Sequence, residues 1–294
     1  ITWDSDRNQW YHLFDSLHRD QEILHDNWLY WTNNGKNMNG MCAECHSTRL
    51  TKEFDIETET YSTSWFEIDV GCEACHGPGS EHAVWADLPA LARPATEDSG
   101  LSVQTRDLQN VEQIAICAPC HSRRFQLGDN THDQGELLDK MVPSLLAEGL
   151  YYPDGQILDE VYVYGSFSQS KMYQHGVKCS DCHDVHNLST YKPGNELCTQ
   201  CHRAEEFDTV SHHFHKKEDK GKPSDGYLCV KCHMPGKVYM GVDYRPDHSL
   251  RIPRPDLSLS IGTPNSCSAV GCHNDKPLEW SNEQYKKWYG EARK

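Results

Sequence analysis

Long apolar runs and positive charge are both scarce in this 294-residue chain. No stretch of 18 apolar residues occurs, which excludes a transmembrane helix within the sequence. Lysine and arginine total 28 against 44 aspartates and glutamates, giving a formal net charge of −16 with neutral histidines. Such a charge repels nucleic acid and anionic membrane surfaces, so we expect neither as a partner. It suits a positively charged redox partner, and it equally suits an acidic surface that only faces solvent.

Hydrophobic side chains are scarce as well. They make up 37% of the residues, and the mean hydropathy is −0.76. A conventional core in a chain of this length needs more apolar residues than that. The composition therefore indicates that something other than side chains fills part of the interior.

No cysteine lies outside a repeated motif. The 14 cysteines form seven pairs, and a histidine directly follows each pair. Six motifs have the form CxxCH, whereas the seventh has four residues between its cysteines. In chain order, motifs 1 to 7 are Cys42/Cys45/His46, Cys72/Cys75/His76, Cys117/Cys120/His121, Cys179/Cys182/His183, Cys198/Cys201/His202, Cys229/Cys232/His233 and Cys267/Cys272/His273.

The histidine after each pair decides between three chemistries. A CxxC pair alone fits a zinc site or a redox dithiol, and many cysteines fit a disulfide framework. Zinc sites usually take two pairs each, and neither zinc nor disulfides require a histidine directly after the second cysteine. The pattern is the attachment signature of c-type haem, in which two thiols bond to the porphyrin and the histidine ligates iron. The sequence therefore predicts seven covalently attached haem c groups.

Seven apolar porphyrins would supply the interior that side chains do not. We expect a mainly α fold with extensive irregular chain, a few short strands and a haem-packed core. Residues 1–294 are predicted to form a single heptahaem unit. The first cysteines of motifs 3 and 4 are 62 residues apart, which separates sub-region 1–140, with three haems, from sub-region 141–294, with four.

Local patterns predict two longer helices, over 137–148 and 278–293. They also predict two short strands, over 157–164 and 237–244, and an extended loop over 251–263. Short helices are expected to carry or follow the motifs. The last predicted helix follows Pro277, a residue typical of helix starts. It places Trp280, Tyr285 and Trp288 on one face, which we interpret as packing.

The second axial ligand of each iron decides the chemistry. A histidine there gives a six-coordinate iron that passes electrons, whereas an empty position makes a substrate site. Of 18 histidines, 11 lie outside the motifs, which is enough to close all seven irons. The first distal candidates are His82, His186, His248 and the HHFH cluster of His212, His213 and His215. At most two of the three cluster histidines are expected to ligate iron. His12, His25 and His132 come next, and His18 and His175 come last.

Several stretches resemble the haem region of exported multihaem cytochromes c that are often fused to tetratricopeptide repeats. They are MCAECHST, GCEACHGPGSEHAVWA, CAPCHSRR, GLYYPDGQILDEVYVYGSFSQSKMY, GVKCSDCHDVH, HHFHK, CVKCHMP and DHSLRIPRPDLS. CHGPGSEH also resembles a motif of the wider class that includes hydroxylamine oxidoreductase and octahaem cytochromes. The resemblance implies an electron-carrying haem array, with His82, His186, the HHFH histidines and His248 at positions compatible with axial ligation.

The chain departs from that family at both ends. Members usually have more sequence before the equivalent of Ile1, including one further haem motif, and the repeats are absent here because the chain ends at Lys294. The last motif is also CX₄CH where CxxCH is usual. One of His12, His18 and His25 could therefore serve an iron of a neighbouring chain.

Haem c is attached outside the cytoplasm, so we expect a periplasmic or extracellular protein. The chain begins without an initiator methionine or an apolar signal segment, so we expect that a signal is removed or that sequence lies upstream. The leading function is electron relay to a redox partner or between identical subunits in a filament, with no catalytic residue. The alternatives are an enzyme with one open haem acting on a small nitrogen or sulfur compound, and a purely electron-storing or structural component of a larger complex. No motif replaces its histidine with lysine, as many multihaem nitrite reductases do.

Overall fold

The structure is a computed structural model that describes residues 2–11, 22–33, 35–95, 99–128, 136–219, 221–269 and 271–291. His12, His18 and His132 lie outside these residues.

Helices are short throughout most of the described chain. They are α1 Glu73–His76, α2 Ser80–Asp87, α3 Asn110–His121, α4 Leu137–Lys140, α5 Tyr164–Phe167, α6 Lys171–Gln174, α7 Ala204–Phe207, α8 Val210–His213, α9 Cys229–His233, α10 Pro255–Ile261, α11 Ser266–Ala269 and α12 Leu278–Tyr289. Single turns of 3₁₀ helix cover Ala90–Ala92, Cys179–Asp181 and Gly194–Leu197, and a π turn covers Met38–Cys42.

Strands occur only as isolated antiparallel pairs in the described residues. The pairs are β1 Thr2–Asp4 with β2 Gln9–Tyr11, β3 Phe54–Asp55 with β4 Thr60–Tyr61, β5 Arg124–Gln126 with β6 Met141–Pro143, β7 His183–Asp184 with β8 Ser189–Thr190, β9 Glu218–Asp219 with β10 Lys222–Pro223, and β11 Gly236–Tyr239 with β12 Asp243–Pro246. The chain is thus a mixed helical fold with short strands, in agreement with the coarse predicted class.

The chain groups into two compact units. The N-terminal unit comprises residues 20–144, with motifs 1 to 3, and the C-terminal unit comprises residues 145–294, with motifs 4 to 7, together with residues 1–19. The predicted sub-regions 1–140 and 141–294 stay a prediction, and residues 1–19 group with 145–294. That the two form one continuous heptahaem unit stays a prediction.

Apolar side chains bury little surface in either unit. Only nine hydrophobic residues of the described chain are buried, and three of them are alanines. The accessible surface of the chain is 19,628 Å², whereas a compact folded protein of this mass exposes roughly 13,000 Å². Exposed large side chains include Trp31 at 72% and Phe125 at 74%. The polypeptide alone therefore does not build a conventional side-chain core.

Two of the predicted elements are shorter or absent. The helix expected over 137–148 ends at Lys140, and Met141–Pro143 instead forms a strand paired with Arg124–Gln126. Pro143 explains the difference, because proline disfavours helix at the preceding residue and cannot donate within it. The strand expected over 157–164 is wrong. Tyr162 has a φ of 61°, which interrupts any extended run, and Tyr164 begins a helix.

Two further predictions missed a reversal or a helix. Residues 237–244 belong to a hairpin rather than one strand, because Met240 and Gly241 both have positive φ and turn the chain. The loop expected over 251–263 contains helix α10, which starts with Pro255 and ends at Gly262 with a φ of 72°. The helix expected over 278–293 is confirmed as far as Tyr289.

A charged and aromatic cluster joins the segment before α5 to the last hairpin. The Arg245 guanidinium donates to Glu160 at 2.7 Å and to Asp243 at 2.6 Å. Its central carbon lies 5.2 Å from the ring centre of Tyr162 and 5.5 Å from that of Tyr239. Arginine suits this place because a planar cation can stack on rings while it donates from its edge.

Replacing Arg245 with alanine should therefore lower the stability of the haem-loaded protein by about 2 kcal/mol, since two carboxylates and two rings lose a half-buried partner. Thermal denaturation would measure the change. Lys276→Ala is the control, because its pair with Asp275 is exposed and should contribute less than about 0.5 kcal/mol. Equal losses in the two variants would contradict the expected role of Arg245.

Candidate haem sites

Each motif forms a tight turn that brings its cysteines close together along the backbone. In motifs 1, 2, 4 and 5 the amide of the second cysteine donates to the carbonyl of the first at 3.2 Å. Motifs 3 and 6 lie inside α3 and α9. The longer motif 7 closes through the His273 amide, which donates to the Cys267 carbonyl at 3.0 Å. All 14 cysteines lie in described residues, and none forms a disulfide.

Three motif histidines lie beside a second histidine, with ring centres at the spacing expected for two ligands of one iron. The ring centres are 6.3 Å apart for His183 with His248, 6.3 Å for His233 with His212, and 6.2 Å for His273 with His215. A bond from a transition metal to an imidazole nitrogen is about 2 Å long, and that nitrogen lies about 1.1 Å from its ring centre, so imidazoles on opposite sides of one iron have centres about 6 Å apart. The residues at motifs 4, 6 and 7 therefore fit haem iron.

Backbone carbonyls lie within hydrogen-bond distance of Nδ1 in some of the paired imidazoles and in His82. Nδ1 lies 2.7 Å from the Arg251 carbonyl in His233, 3.0 Å from the Pro246 carbonyl in His248, and 2.7 Å from the Ser99 carbonyl in His82. A carbonyl can only accept, so Nδ1 is the donor, and in the neutral imidazole Nε2 then carries the lone pair that can ligate a metal. Metal-ligating histidines usually have such a partner, which fixes the tautomer and the ring orientation.

The HHFH cluster divides into two kinds of histidine. His212 and His215 lie against motif histidines, whereas the His213 ring is engaged within its own segment. The His215 amide donates to Nδ1 of His213 at 3.2 Å, and Nε2 of His213 lies 3.9 Å from the Asp208 carboxylate. The structure thus brings two of the three cluster members to motif histidines and leaves His213 beside Asp208.

The remaining candidates are less closely arranged. His82 stacks on Trp85 with ring centres 5.6 Å apart. His25, His175 and His186 are exposed, and the His186 amide donates to Asp184 at 3.2 Å. His12, His18 and His132 lie outside the described residues.

One five-residue segment, 247–251, contacts the histidines of two motifs. Asp247 is buried and accepts the amides of Ile157 at 3.1 Å and Ser249 at 2.8 Å, which fixes the turn that carries His248 towards motif 4. The carbonyl of Arg251, at the other end, holds Nδ1 of His233 in motif 6. The Arg251 guanidinium donates to Gln169 at 2.7 Å, so the whole segment is anchored.

Motifs 4 to 7 lie near one another within the C-terminal unit. Cys182 of motif 4 lies near enough to Cys201 of motif 5 for a thiolate there to contribute to its raised pKa, after the larger effect of burial. A hydrogen bond between the thiols of Cys198 and Cys229 raises the pKa of the first and lowers that of the second. The Ser266 hydroxyl, directly before motif 7, donates to the Cys232 carbonyl of motif 6 at 2.6 Å.

The buried side chain of Asn195 connects the segments that carry motifs 5 and 6 through hydrogen bonds. The Asn195 side chain donates to Asp208 at 2.7 Å and to the Tyr227 carbonyl at 3.1 Å, and it accepts the Cys229 amide at 2.9 Å. Sequence reasoning missed this residue. Its only sequence signal is its place in the Pro-Gly-Asn turn just before motif 5.

Motif 1 contacts both other motifs of the N-terminal unit. Arg124 follows motif 3, lies 3.3 Å from Glu44 and donates to the Cys45 sulfur at 3.5 Å. A hydrogen bond with Cys120, followed by the charge of Arg124, lowers the pKa of Cys45 to about 7. Towards motif 2, Arg49 lies 3.5 Å from Glu73.

Burial favours the neutral form of three of the six paired histidines. It is the main cause that lowers the pKa of His212, His233 and His273 below the usual value for histidine. Neutral imidazole is the form that ligates metals. No group of three or more histidine, cysteine, aspartate or glutamate side chains suited to a bare metal ion occurs in the described residues. Within those residues, no helix combines the length and apolar character of a membrane span.

Comparisons with known proteins agree with the motif pattern. Residues 6–77, about a quarter of the chain with motifs 1 and 2, match the family model described as cytochrome c554 and c-prime. No curated protein sequence matches the chain. Among solved structures, the outer cell wall cytochrome OcwA is similar with a TM-score of 0.57 and 18% identity, over 97% of this chain and 68% of OcwA.

A second solved structure also covers most of the chain. It is the undecahaem cytochrome from the S-layer of Carboxydothermus ferrireducens, with a TM-score of 0.40 and 18% identity over 97% of this chain and 49% of that protein. The relation to hydroxylamine oxidoreductase and the relation to cytochromes that are often fused to tetratricopeptide repeats stay predictions. The family match and the fold shared with OcwA support the interpretation of this chain as a multihaem cytochrome c.

Proposed function

We propose that this chain carries electrons along seven covalently attached haem c groups, most of them ligated by two histidines. The observation that carries the proposal is the set of three imidazole pairs with ring centres 6.2 to 6.3 Å apart. When bound, haem iron supplies reversible one-electron exchange between Fe(III) and Fe(II). The motif cysteines would attach the porphyrins, the paired histidines would ligate the irons, and the contacts between motifs would set the separations along the relay.

The three pairs give the first part of the proposed ligand set. They are His183 with His248, His233 with His212, and His273 with His215. The proximal ligands His46, His76, His121 and His202 would draw their partners from His82, His186, His25, His12 and His132. His82 comes first among these, because the Ser99 carbonyl fixes its tautomer as in His233 and His248.

The contacts between motifs supply the route within each unit. In the C-terminal unit the Asn195 side chain connects motif 5 to motif 6, the Ser266 hydroxyl connects motif 7 to motif 6, and segment 247–251 reaches both motif 4 and motif 6. In the N-terminal unit motif 1 adjoins motifs 2 and 3. Adjacent attachment sites suit electron relay because transfer between cofactors needs short separations.

Location and partner follow from the same chemistry. Attachment of haem c outside the cytoplasm supports a periplasmic or extracellular protein, and the similar protein OcwA is described as an outer cell wall cytochrome. The proposed partners are redox proteins or identical subunits, including subunits of a filament. An iron of a neighbouring chain could take its ligand from His12, His18 or His25.

Reductive titration with intact-mass measurement tests the proposal. The protein should carry seven haems and take up seven electrons per chain, without spectral change on addition of nitrite, hydroxylamine or cyanide. A Cys267→Ser/Cys272→Ser variant should carry six haems and serves as the control for motif 7. Six haems in the unaltered protein, with free thiols at Cys267 and Cys272, would contradict the count.

A spectral change with nitrite, hydroxylamine or cyanide that corresponds to one haem per chain would contradict closed ligation. It would favour the alternative function, an oxidoreductase with one open haem site.

A further inference from the structure

Two of the three imidazole pairs are joined by one short stretch of chain. His212 pairs with His233 of motif 6, and His215, three residues later, pairs with His273 of motif 7. The stretch 212–215 thus reaches two neighbouring attachment sites. The relative placement of its two rings depends on the backbone between them.

That backbone contains an unfavourable conformation. Phe214 ends α8 with a φ of 56° and a ψ of 18°, in the left-handed region. Bulky residues rarely adopt it, because the side chain then crowds the backbone. Such a residue persists only when its surroundings hold it there.

The C-terminal helix α12 supplies those surroundings. Trp288 stacks on Phe214 with ring centres 4.8 Å apart and planes 1° from parallel, and Tyr289 meets Phe214 edge-on at 5.6 Å. The Tyr289 hydroxyl also donates to the His212 carbonyl. Helix α12 therefore contacts the segment at its strained residue and at its first ligand.

The same helix touches three of the paired imidazoles directly. Ring-centre distances are 6.3 Å for Tyr289 to His212, 5.9 Å for Trp288 to His215, and 4.8 Å for Trp280 to His273. Tyr285 lies on the same helix, and its described ring contact is with Tyr289, 5.0 Å away. The helix thus offers three aromatic residues that meet ligand rings and one that does not.

We propose that Trp280, Trp288 and Tyr289 are positioning residues that set the imidazole orientations at the haems of motifs 6 and 7. This rests on the proposed ligation of those two haems. Because one helix acts on both, its displacement would alter the two sites together. The orientation of axial imidazoles governs the low-spin EPR signal of ferric haem, so the proposal has a spectroscopic signature beyond electron-transfer activity.

Four single variants of the haem-loaded protein test it by EPR in the oxidised state. Trp280→Leu should shift one low-spin signal, assigned to motif 7. Tyr289→Phe, which loses only the hydroxyl donor to His212, should shift a different one, assigned to motif 6. Trp288→Leu should shift both of these signals, and Tyr285→Leu, the control, should shift neither.

Other patterns overturn the proposal. If Trp288→Leu lowers thermal stability but leaves every signal unchanged, the helix only stabilises the fold. If Tyr285→Leu shifts the same two signals, the contacts have no specific role. Should Trp288→Leu fail to fold, Tyr289→Phe and Trp280→Leu still decide, since two unshifted signals would refute positioning. Failure of the underlying ligation would show already in the unaltered protein, as high-spin iron at motif 6 or 7.

Discussion

An unfolded, protease-sensitive polypeptide is the expected product when this chain is made without covalent haem attachment. Only nine hydrophobic side chains of the described residues are buried, and the chain exposes 19,628 Å². That burial is too small to offset the conformational entropy lost on folding, which costs about 1 to 2 kcal/mol for each ordered residue. Attachment of haem and folding should therefore be a single event.

Far-UV circular dichroism and limited proteolysis measure this outcome directly. The comparison is between chain produced in a cytoplasm that lacks haem attachment and chain exported through a haem-attaching pathway. The first should give a random-coil spectrum and rapid digestion, and the second a resistant protein. A haem-free chain with native-like spectrum and protection would refute the predicted haem-packed core.

His212→Ala should convert one haem from low spin to high spin, whereas the neighbouring substitution His213→Ala should convert none. His212 lies 6.3 Å from His233, and removing its imidazole opens one axial position. His213 instead lies beside Asp208, and its Nδ1 accepts an amide hydrogen bond within its own segment. The two residues are adjacent and both partly buried, so the pair is closely matched.

Absorption spectra in the high-spin region and cyanide titration measure the difference. The His212→Ala protein should bind one cyanide per chain, and the His213→Ala protein should bind none. Cyanide binding by the His213→Ala protein alone would show that His213, rather than His212, ligates iron. No binding by either variant would mean that neither ligates iron.

The chemical motifs could be predicted from the sequence more completely than the backbone conformation. The seven motifs could be found from residue spacing alone, because thioether attachment and iron ligation need cysteine and histidine in a fixed order. The sequence predicts at most two ligands in the HHFH cluster, but which of its histidines lie beside motif histidines depends on the left-handed conformation of Phe214. No local pattern predicts that conformation, since Trp288, which stacks on it, lies 74 residues later.

Tertiary contacts also explain the local predictions that failed. Residues 157–164 have the composition of a strand. However, the Ile157 amide donates a hydrogen bond to Asp247, and the Arg245 guanidinium lies over the ring of Tyr162. The aromatic face of α12 was interpreted as packing. The structure adds that two of its tryptophans contact His273 and His215, which sequence periodicity cannot indicate because those histidines are distant along the chain.

EPR spectroscopy of the fully oxidised protein tests the central claim most directly. If the chain is an electron relay with closed haems, the integrated spectrum should account for seven low-spin ferric irons per chain and contain no high-spin signal. A high-spin signal equal to one haem would contradict the account and would favour an enzyme with an open iron site.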